Sequence, residues 1–189
     1  MQTSLLEVAA DITGLVSVIL TVFLRKSLYP VGILSTLLFF FLYWNAKLYA
    51  SAGLQVYYTL IQFYGWWFWL RGDHGHEPPV DDWPWRKIVV PAIVAGLFTA
   101  GVSVALYRFT DARAPVLDTA IFAASVLAQF LLDRKQLKNW LIWGLVDVLS
   151  IAVYSGQKLW LTTGLYAILL ANTAIGWLAW RRARARQAA

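Results

Sequence analysis

The sequence predicts an all-α integral membrane protein with seven transmembrane helices. Of its 189 residues, 60% are hydrophobic and only 14% are charged, whereas a soluble domain has roughly 45–50% apolar and about 25% charged residues. A globule of this length cannot hide so much apolar surface from water, so the excess must face lipid. In addition, seven apolar runs of near membrane-spanning length alternate with polar breaks,. These observations exclude a soluble enzyme, a disordered chain and a nucleic-acid binder.

The apolar runs give the predicted spans in order, each bounded by charged or polar residues: Leu5–Leu24, Leu28–Trp44, Tyr49–Leu70, Ile88–Tyr107, Val116–Leu132, Asn139–Gly156 and Leu159–Trp180. Pro30 and Pro91 are predicted in opening turns, where a missing N–H does no harm. The one long connection, residues 71–87, is polar and contains proline, which predicts a loop. The other connections are short, so neighbouring helices should pack antiparallel.

Basic residues are distributed unequally between the two sides of these spans. Of the 16 Lys and Arg residues, 12 fall on the side of the C-terminus and 4 on the other. Because cytoplasmic loops carry the excess of positive charge, the C-terminus is predicted in the cytoplasm and the N-terminus outside. The net charge of +6 is thus a topology signal, with contact to anionic lipid head groups as a by-product.

The third and seventh spans share an internal repeat. Gly53, Gly65, Trp66 and Trp69 recur at a constant offset of 111 as Gly164, Gly176, Trp177 and Trp180, and the basic pairs Arg25-Lys26 and Arg134-Lys135 recur at an offset of 109. An alternative is that Gly-Trp near an interface belongs to a common aromatic belt. The repeat predicts a 3+1+3 plan of parallel repeats: residues 1–72, a loop and linker helix at 73–115, residues 116–182, and a basic tail at 183–189. Transporters of this plan bind substrate near the midplane between the repeats.

Polar and aromatic residues form a stripe on the third span: Gln55, Tyr58, Gln62, Trp66 and Trp69. Their steps of 3, 4, 4 and 3 residues keep them on one helical face. Amides can bond the edges of a flat polar ligand while rings stack on its faces, and a cationic ligand would add a cation–π contact. The alternative is that the amides only join helices to each other.

The sixth span carries a second such face: Asn139, Trp143, Asp147 and Tyr154. Asp147 lies about halfway along the span, and a carboxylate at that depth indicates function. It could counter a positive charge on a ligand, accept ribose hydroxyls or carry a proton; alternatively, it is a structural hydrogen-bond hub. Gln129 and Asn172 add two further amides.

Other chemistry has little support. Asp73, His74, His76 and Glu77 lie in the long loop without the spacing of a metal site, so no metal is predicted. The absence of Cys excludes disulfides and thiolate catalysis. We find no nucleophile–base pair and no phosphate-binding glycine loop, and therefore expect neither an enzyme nor a cofactor.

Several motifs together resemble the PnuC-type vitamin transporters. They are Trp44-Asn45 through Gly53-Leu54-Gln55, Tyr64-Gly65-Trp66-Trp67-Phe68-Trp69, Arg134-Lys135, Asn139-Trp140 with Trp143, Asp147-Val148, Leu165-Tyr166, and Gly176-Trp177 with Trp180. The resemblance covers about Leu28 to Trp180 apart from the linker helix and its flanking loops. It implies a fold similar to the SWEET sugar transporters, a homo-oligomer, and a place in the bacterial cytoplasmic membrane.

The resemblance also implies facilitated diffusion of a vitamin, most often nicotinamide riboside and in some subgroups thiamine or riboflavin, followed by trapping by a separate kinase. The residues that match the family's polar signature are Gln55, Gln62, Gln129, Asn139 and Trp143. We add Tyr58, Trp66, Asp147 and Asn172 as ligand contacts, and Gly53, Gly65, Gly164 and Gly176 as pivots for alternating access. Some relatives carry Asn at the place of Asp147, which argues against a proton carrier there. A non-transporting membrane scaffold is the rival class.

Overall fold

The computed structural model describes residues 5–45, 49–109, 115–156 and 160–187, which contain seven α-helices. The helices are α1 (Leu5–Val22), α2 (Leu28–Asn45), α3 (Tyr49–Arg71), α4 (Trp85–Phe109), α5 (Pro115–Asp133), α6 (Asn139–Gly156) and α7 (Trp160–Gln187). Each helix coincides with a predicted span. A segment that spans lipid is expected to be helical, because a helix satisfies all its backbone hydrogen bonds internally. By length and hydropathy alone, the windows Asn139–Gly156 and Thr163–Gln187 qualify as membrane spans among the described residues.

Two details differ from the sequence prediction. Helix α4 begins at Trp85, so Pro91 lies inside the helix and not in its opening turn. Helix α7 continues through the arginine-rich residues to Gln187, where a separate basic tail was expected. Ala and Arg are both strong helix formers, so loss of hydropathy at Arg181 did not end the helix.

The chain divides into two units, Met1–Pro79 and Val80–Ala189. In the first unit the middle helix α2 packs against both α1 and α3. In the second unit α6 packs in the same way against α5 and α7, and α4 packs against α5. The helix predicted as a linker therefore belongs, by its contacts, with the second unit.

The turn between α1 and α2 has the same hydrogen bonds as the turn between α5 and α6. In the first unit they run from Leu24 N to Thr21 O, Arg25 N to Leu20 O, Leu28 N to Arg25 O and Tyr29 N to Lys26 O. The second unit repeats all four at an offset of 111, from Lys135, Gln136, Asn139 and Trp140 to Leu132, Leu131, Gln136 and Leu137. Leu24 and Lys135 have positive φ angles of 54° and 50°, a conformation that few non-glycine residues adopt. The basic pairs are therefore not equivalent, since Arg25 corresponds to Gln136.

A buried aromatic pair also recurs at this offset. Tyr29 meets Trp69 edge to face with ring centroids 5.4 Å apart, and Trp140 meets Trp180 in the same way at 5.5 Å. Both Trp69 and Trp180 are fully buried. One pair joins the start of α2 to the end of α3, and the other joins the start of α6 to α7.

The segment between α3 and α4 contributes to both units separately. Asp73 and His76 exchange backbone hydrogen bonds around His74 and Gly75, which both have positive φ, as in a type I′ hairpin turn. In the second unit, residues 80–85, here called the strap, lie alongside the turn between α5 and α6. Asp81 exchanges backbone hydrogen bonds with Lys135 and Leu137 at 3.0 and 2.8 Å.

Candidate functional site

The predicted stripe on α3 contains side chains that are buried in the first unit and side chains that are only half-buried. Trp69 is wholly buried against Tyr29, so it belongs to the packing and not to a ligand site. Trp66 is only half-buried, and its indole makes no hydrogen bond or ring contact with the described residues. Within the described part of the chain, its ring face and its indole N–H therefore have no partner.

Gln62 is turned towards its own helical neighbours. Its Nε2 donates to the carbonyl of Tyr58 at 3.3 Å. Its Oε1 sits against Gly32 of α2 so closely that a Cβ added at Gly32 would lie 2.1 Å from it and 2.8 Å from Ser17 Oγ. The absence of a side chain at Gly32 thus makes the room that Gln62 occupies. This geometry favours the helix-joining role that the sequence left open for Gln62.

Gln55 and Tyr58 lie earlier on α3 and are half-buried. The backbone carbonyl of Gln55 accepts a hydrogen bond from Thr59 at 2.8 Å, and Thr59 in turn pairs with Thr36 of α2 at 2.8 Å. The side-chain amide of Gln55 has no partner in the described part of the chain. Of the two predicted glutamines on α3, Gln55 is therefore the one whose amide remains available.

In the second unit, two predicted amides are engaged near the turn between α5 and α6. Gln129 Nε2 donates to Asp133 Oδ1 at 3.1 Å. Asn139 is fully buried, and its Nδ2 donates to the carbonyl of Gln136 at 2.7 Å. Asn139 is the first residue of α6, and its Oδ1 is buried without a hydrogen-bond partner among the described residues. Its contacts therefore organise the turn.

The middle of α6 places an aromatic ring next to a carboxylate. Trp143 is half-buried and makes no hydrogen bond or ring contact with described residues. Asp147, four residues later, is 4% exposed, and its Oδ2 accepts a hydrogen bond from Thr173 Oγ1 of α7 at 3.0 Å. Four residues correspond to about 6 Å of rise along a helix. The two groups are thus spaced to meet different parts of one small molecule.

Residues that the sequence analysis did not select surround Asp147. Thr173 is its hydrogen-bond partner, Ser150 is fully buried one turn further along α6, and Tyr166 of α7 stacks on Tyr154 at 5.3 Å. The spacing of seven residues between Tyr166 and Thr173 put them on one face of α7, which was the only available signal.

Asn172 is half-buried, and its amide has no partner in the described residues. It precedes Thr173 and therefore lies about 100° round α7 from it.

A groove of about 420 Å³ is lined by residues of α6 and α7. Its lining, in which Thr173 is the one hydroxyl, is Trp140, Leu141, Gly144, Leu170, Thr173, Ala174, Trp177 and Leu178. With so few polar groups it suits an apolar occupant better than a vitamin.

The predicted pivot glycines have different surroundings. Gly53 lies near the start of α3, and Gly65 is buried further along it. A Cβ added at Gly176 would lie 2.4–2.5 Å from the ring of Trp140, whereas at Gly164 it would meet nothing within 4 Å. Gly176 is thus a packing slot for an aromatic ring.

Charged groups cluster at the strap. Asp82 pairs with Lys138 and lies 3.4 Å from Arg184, and the ammonium of Lys138 lies 5.2 Å from the ring centre of Trp85. The backbone N–H groups of Val80 and Trp83 donate to the side chains of Gln187 and Gln136 at 3.0 and 2.9 Å. In the first unit, Lys26 pairs with Glu77 at 2.6 Å. Within the described residues, no group of three or more potential metal ligands occurs.

The known proteins to which this chain is similar are all described as transporters. Residues 4–182 match the family described as nicotinamide mononucleotide transporter. The nicotinamide riboside transporter PnuC of Escherichia coli (strain K12) is 26% identical over 194 residues, which cover 88% of this chain and 80% of the relative. The riboflavin/roseoflavin transporter RibM of Streptomyces davaonensis is 28% identical over 152 residues, covering 77% of this chain and 70% of the relative.

A solved structure shares the fold. The crystal structure of the vitamin B3 transporter PnuC matches with a TM-score of 0.72 at 22% identity, and the match covers 98% of this chain and 83% of that chain. The chain therefore has the same fold as that protein.

Proposed function

The chain belongs to the nicotinamide mononucleotide transporter family, and from this premise we propose that it imports nicotinamide riboside by facilitated diffusion. The observation that carries the proposal is the family match over residues 4–182. It is supported by the polar and aromatic side chains on α3, α6 and α7 that have no partner in the described part of the chain. A separate cytosolic kinase would trap the product, so that the transporter itself needs no energy source.

Side chains that have no partner among the described residues supply the ligand chemistry in this proposal. Gln55 and Asn172 offer amides to the carboxamide of the ligand, and Trp66 and Trp143 offer ring faces to its flat cationic ring. Asp147 offers a carboxylate one helical turn from Trp143. Gln62, Gln129 and Asn139 act on the site by holding helices and turns in place, while Tyr58 borders Gln55 on the same face of α3.

Alternating access between two equivalent units is the mechanism we propose. The 3+1+3 plan of parallel repeats, similar to the SWEET transporters, is supported by the shared turns and aromatic pairs at an offset of 111. Passive carriers of this plan expose a central site to each side in turn. Net direction comes from removal of the substrate inside the cell, and no ion coupling is required.

We propose that the protein lies in the bacterial cytoplasmic membrane, as its transporter relatives imply, and that its C-terminus lies inside, as the charge distribution favours. The basic end of α7 and the turn between α5 and α6 then lie on the cytoplasmic side, as does the strap. We also expect a homo-oligomer, as the family resemblance implies. A C-terminal reporter that is active only outside the cell would overturn this orientation.

Riboflavin is the second candidate substrate, because one relative is named a riboflavin/roseoflavin transporter. Like nicotinamide riboside, riboflavin has a flat heteroaromatic ring and an arm that carries hydroxyl groups. An amide, a Trp face and a carboxylate would suit either molecule.

The test is a binding and uptake experiment on the purified protein. Nicotinamide riboside, riboflavin and thiamine are titrated in detergent by calorimetry, and uptake is followed in proteoliposomes that contain no energy source. We expect saturable binding of nicotinamide riboside and equilibration of it across the membrane. We also expect Gln55→Ala with Trp143→Ala to weaken binding by about 100-fold or more, since each removes a direct contact.

The matched control is Trp67→Ala, because Trp67 is exposed and lies about 100° round α3 from Trp66,. Binding of none of the three vitamins would refute the proposed function. Binding that survives the double substitution would refute the site.

A further inference from the structure

The groove that α6 and α7 line is almost entirely apolar and has a volume of about 420 Å³. Two of its lining residues, Leu141 and Leu178, are exposed. Along α7 the lining runs from Leu170 to Leu178, and these residues are separated by a rise of about 12 Å. One leaflet contributes roughly 15 Å to the hydrocarbon core of a bilayer. The groove therefore has the length and the lining that an acyl chain requires.

The groove leads to a cation at the end of α7. Arg181 follows Trp177 by four residues and Leu178 by three, so it lies on the same face of α7, one turn beyond the groove,. It is exposed and forms no ion pair with any described residue. The neighbouring Arg184 lies 3.4 Å from Asp82, so its charge is partly balanced. Arg181 is thus placed to bind phosphate oxygens, which a guanidinium contacts through paired N–H groups.

The order of these groups along α7 matches the order of groups in a phospholipid. In the proposed orientation this end of α7 lies on the cytoplasmic side, where anionic lipids carry the negative surface charge. Trp140 and Trp177 line the same end of the groove, and Trp is enriched at the membrane–water interface. A phosphate at the level of Arg181 would therefore continue into an acyl chain at the level of the groove.

The first unit carries different residues at the positions that correspond at the offset of 111. A bulkier side chain replaces each of two small lining residues, and an uncharged one replaces the arginine: Ile33 for Gly144, Phe63 for Ala174 and Leu70 for Arg181. The combination of apolar lining, small residues and cation is therefore not part of the packing that the two units share. It points to a ligand of the second unit.

We propose that the second unit binds one anionic phospholipid of the cytoplasmic leaflet, with an acyl chain in the groove and the phosphate at Arg181. The proposal goes beyond vitamin transport, because it concerns a lipid ligand and does not depend on which vitamin is carried. A bound lipid would contact both α6 and α7 and would join them at their cytoplasmic ends. A second copy of the chain is the competing occupant of the groove.

The experiment measures lipid binding to the purified full-length protein by native mass spectrometry in a neutral detergent. Phosphatidylglycerol and phosphatidylcholine with identical acyl chains are titrated, so that the two lipids differ in the charge of the head group. We expect one phosphatidylglycerol to bind about fivefold more tightly than phosphatidylcholine, which is the factor that one arginine contributes near an anionic surface. Arg181→Gln should reduce the affinity for phosphatidylglycerol to that for phosphatidylcholine.

The matched control is Arg182→Gln, because Arg182 is also exposed but lies about 100° round α7 from Arg181,. This variant should leave both lipid affinities unchanged. Ala174→Phe tests the groove, because it gives an exposed position of the lining the residue that the first unit has there. It should weaken both lipids by about threefold or more, since the ring would displace the acyl chain from its contacts.

Two results would overturn the proposal in favour of a diffuse basic surface. They are equal affinities of the wild-type protein for the two lipids, and equal losses of phosphatidylglycerol affinity in Arg181→Gln and Arg182→Gln. Displacement of the lipid by excess glycerol 3-phosphate would also overturn it, because a soluble phosphate would then be the ligand.

The groove variant separates a lipid from a second copy of the chain. Unchanged lipid affinities in Ala174→Phe would overturn the placement of the acyl chain. A smaller oligomer mass in that variant, with lipid affinities unchanged, would identify a second copy as the occupant. If Ala174→Phe does not yield folded protein by size-exclusion chromatography, the two arginine variants, both at exposed positions, decide alone.

Discussion

The two units share packing contacts but not polar chemistry. The α1–α2 turn corresponds to the α5–α6 turn, and the two edge-to-face aromatic pairs correspond to each other, at an offset of 111. At the same offset, Gly32 corresponds to Trp143 and Thr36 corresponds to Asp147. The first unit therefore leaves a gap that its own Gln62 fills, whereas the second unit carries a ring and a carboxylate. The two units therefore agree in these packing contacts and differ in the polar groups beside them.

Substitutions in the aromatic pairs should have the largest effect on the free energy of unfolding, and they test whether the two pairs are equivalent. We expect Trp69→Ala and Trp180→Ala each to lower the free energy of unfolding by about 3–5 kcal/mol, because each empties a fully buried site. Unfolding in mixed micelles by a denaturing detergent measures both values. Trp67→Ala, at a position that is 57% exposed, is the control and should change little. A large loss in one unit only would show that the two pairs are not equivalent.

The helices were predictable because their signal is local. Apolar runs of membrane-spanning length and the charges between them located all seven, and the start and end of α6 were predicted as the structure has them. The end of α7 was predicted too early, because loss of hydropathy marks where a membrane ends and not where a helix ends. The basic pairs also misled, since Arg and Lys mark the same side of the membrane without marking the same position in a turn.

The site was less predictable, because side-chain direction depends on the neighbouring helix. Residue spacing placed Gln55 and Gln62 on one face of α3, but only Gly32 of α2 shows that Gln62 turns inwards. Thr173 was missed for the same reason. A threonine in a transmembrane helix carries no signal by itself, and its partner Asp147 becomes visible only when α6 and α7 are packed.

The next largest effect on stability is expected at Gly176, and comparison with Gly164 tests whether these glycines serve packing or act as pivots. Gly176→Ala should cost about 1–3 kcal/mol, because the new methyl group would lie against the rigid ring of Trp140. Gly164→Ala on the same helix meets open space and should be neutral or stabilise by about 0.5–1 kcal/mol. Unfolding in mixed micelles measures stability, and uptake in proteoliposomes measures rate. If both variants keep full stability but slow uptake, the pivot role predicted from the sequence is correct.

A smaller loss is expected at Gly32, where the two units differ most. Gly32→Ala should cost about 1–2 kcal/mol, less than Gly176→Ala, because the crowded atom is the end of a flexible glutamine side chain. Adding Gln62→Ala should recover most of that loss, since the crowding group is then absent. Gly144→Ala is the control, because its Cβ would lie an ordinary 3.4 Å from Thr173. Independent, additive losses in the double variant would contradict the assignment of Gln62 to this gap.

The smallest effect concerns the charged groups at the end of each unit. Asp82 is 25% exposed and meets both Lys138 and Arg184, whereas Lys26 and Glu77 are each about 40% exposed. Exposed ion pairs contribute little, but a partly buried carboxylate shared by two cations loses more when it is neutralised. We therefore expect Asp82→Asn to cost about 1 kcal/mol and Glu77→Gln to cost no measurable amount. Salt should shrink the difference, because screening weakens the pairs that remain open to water. Equal effects of the two substitutions would mean that the strap holds α7 through its backbone hydrogen bonds alone, and the second unit would then differ from the first only in its polar site.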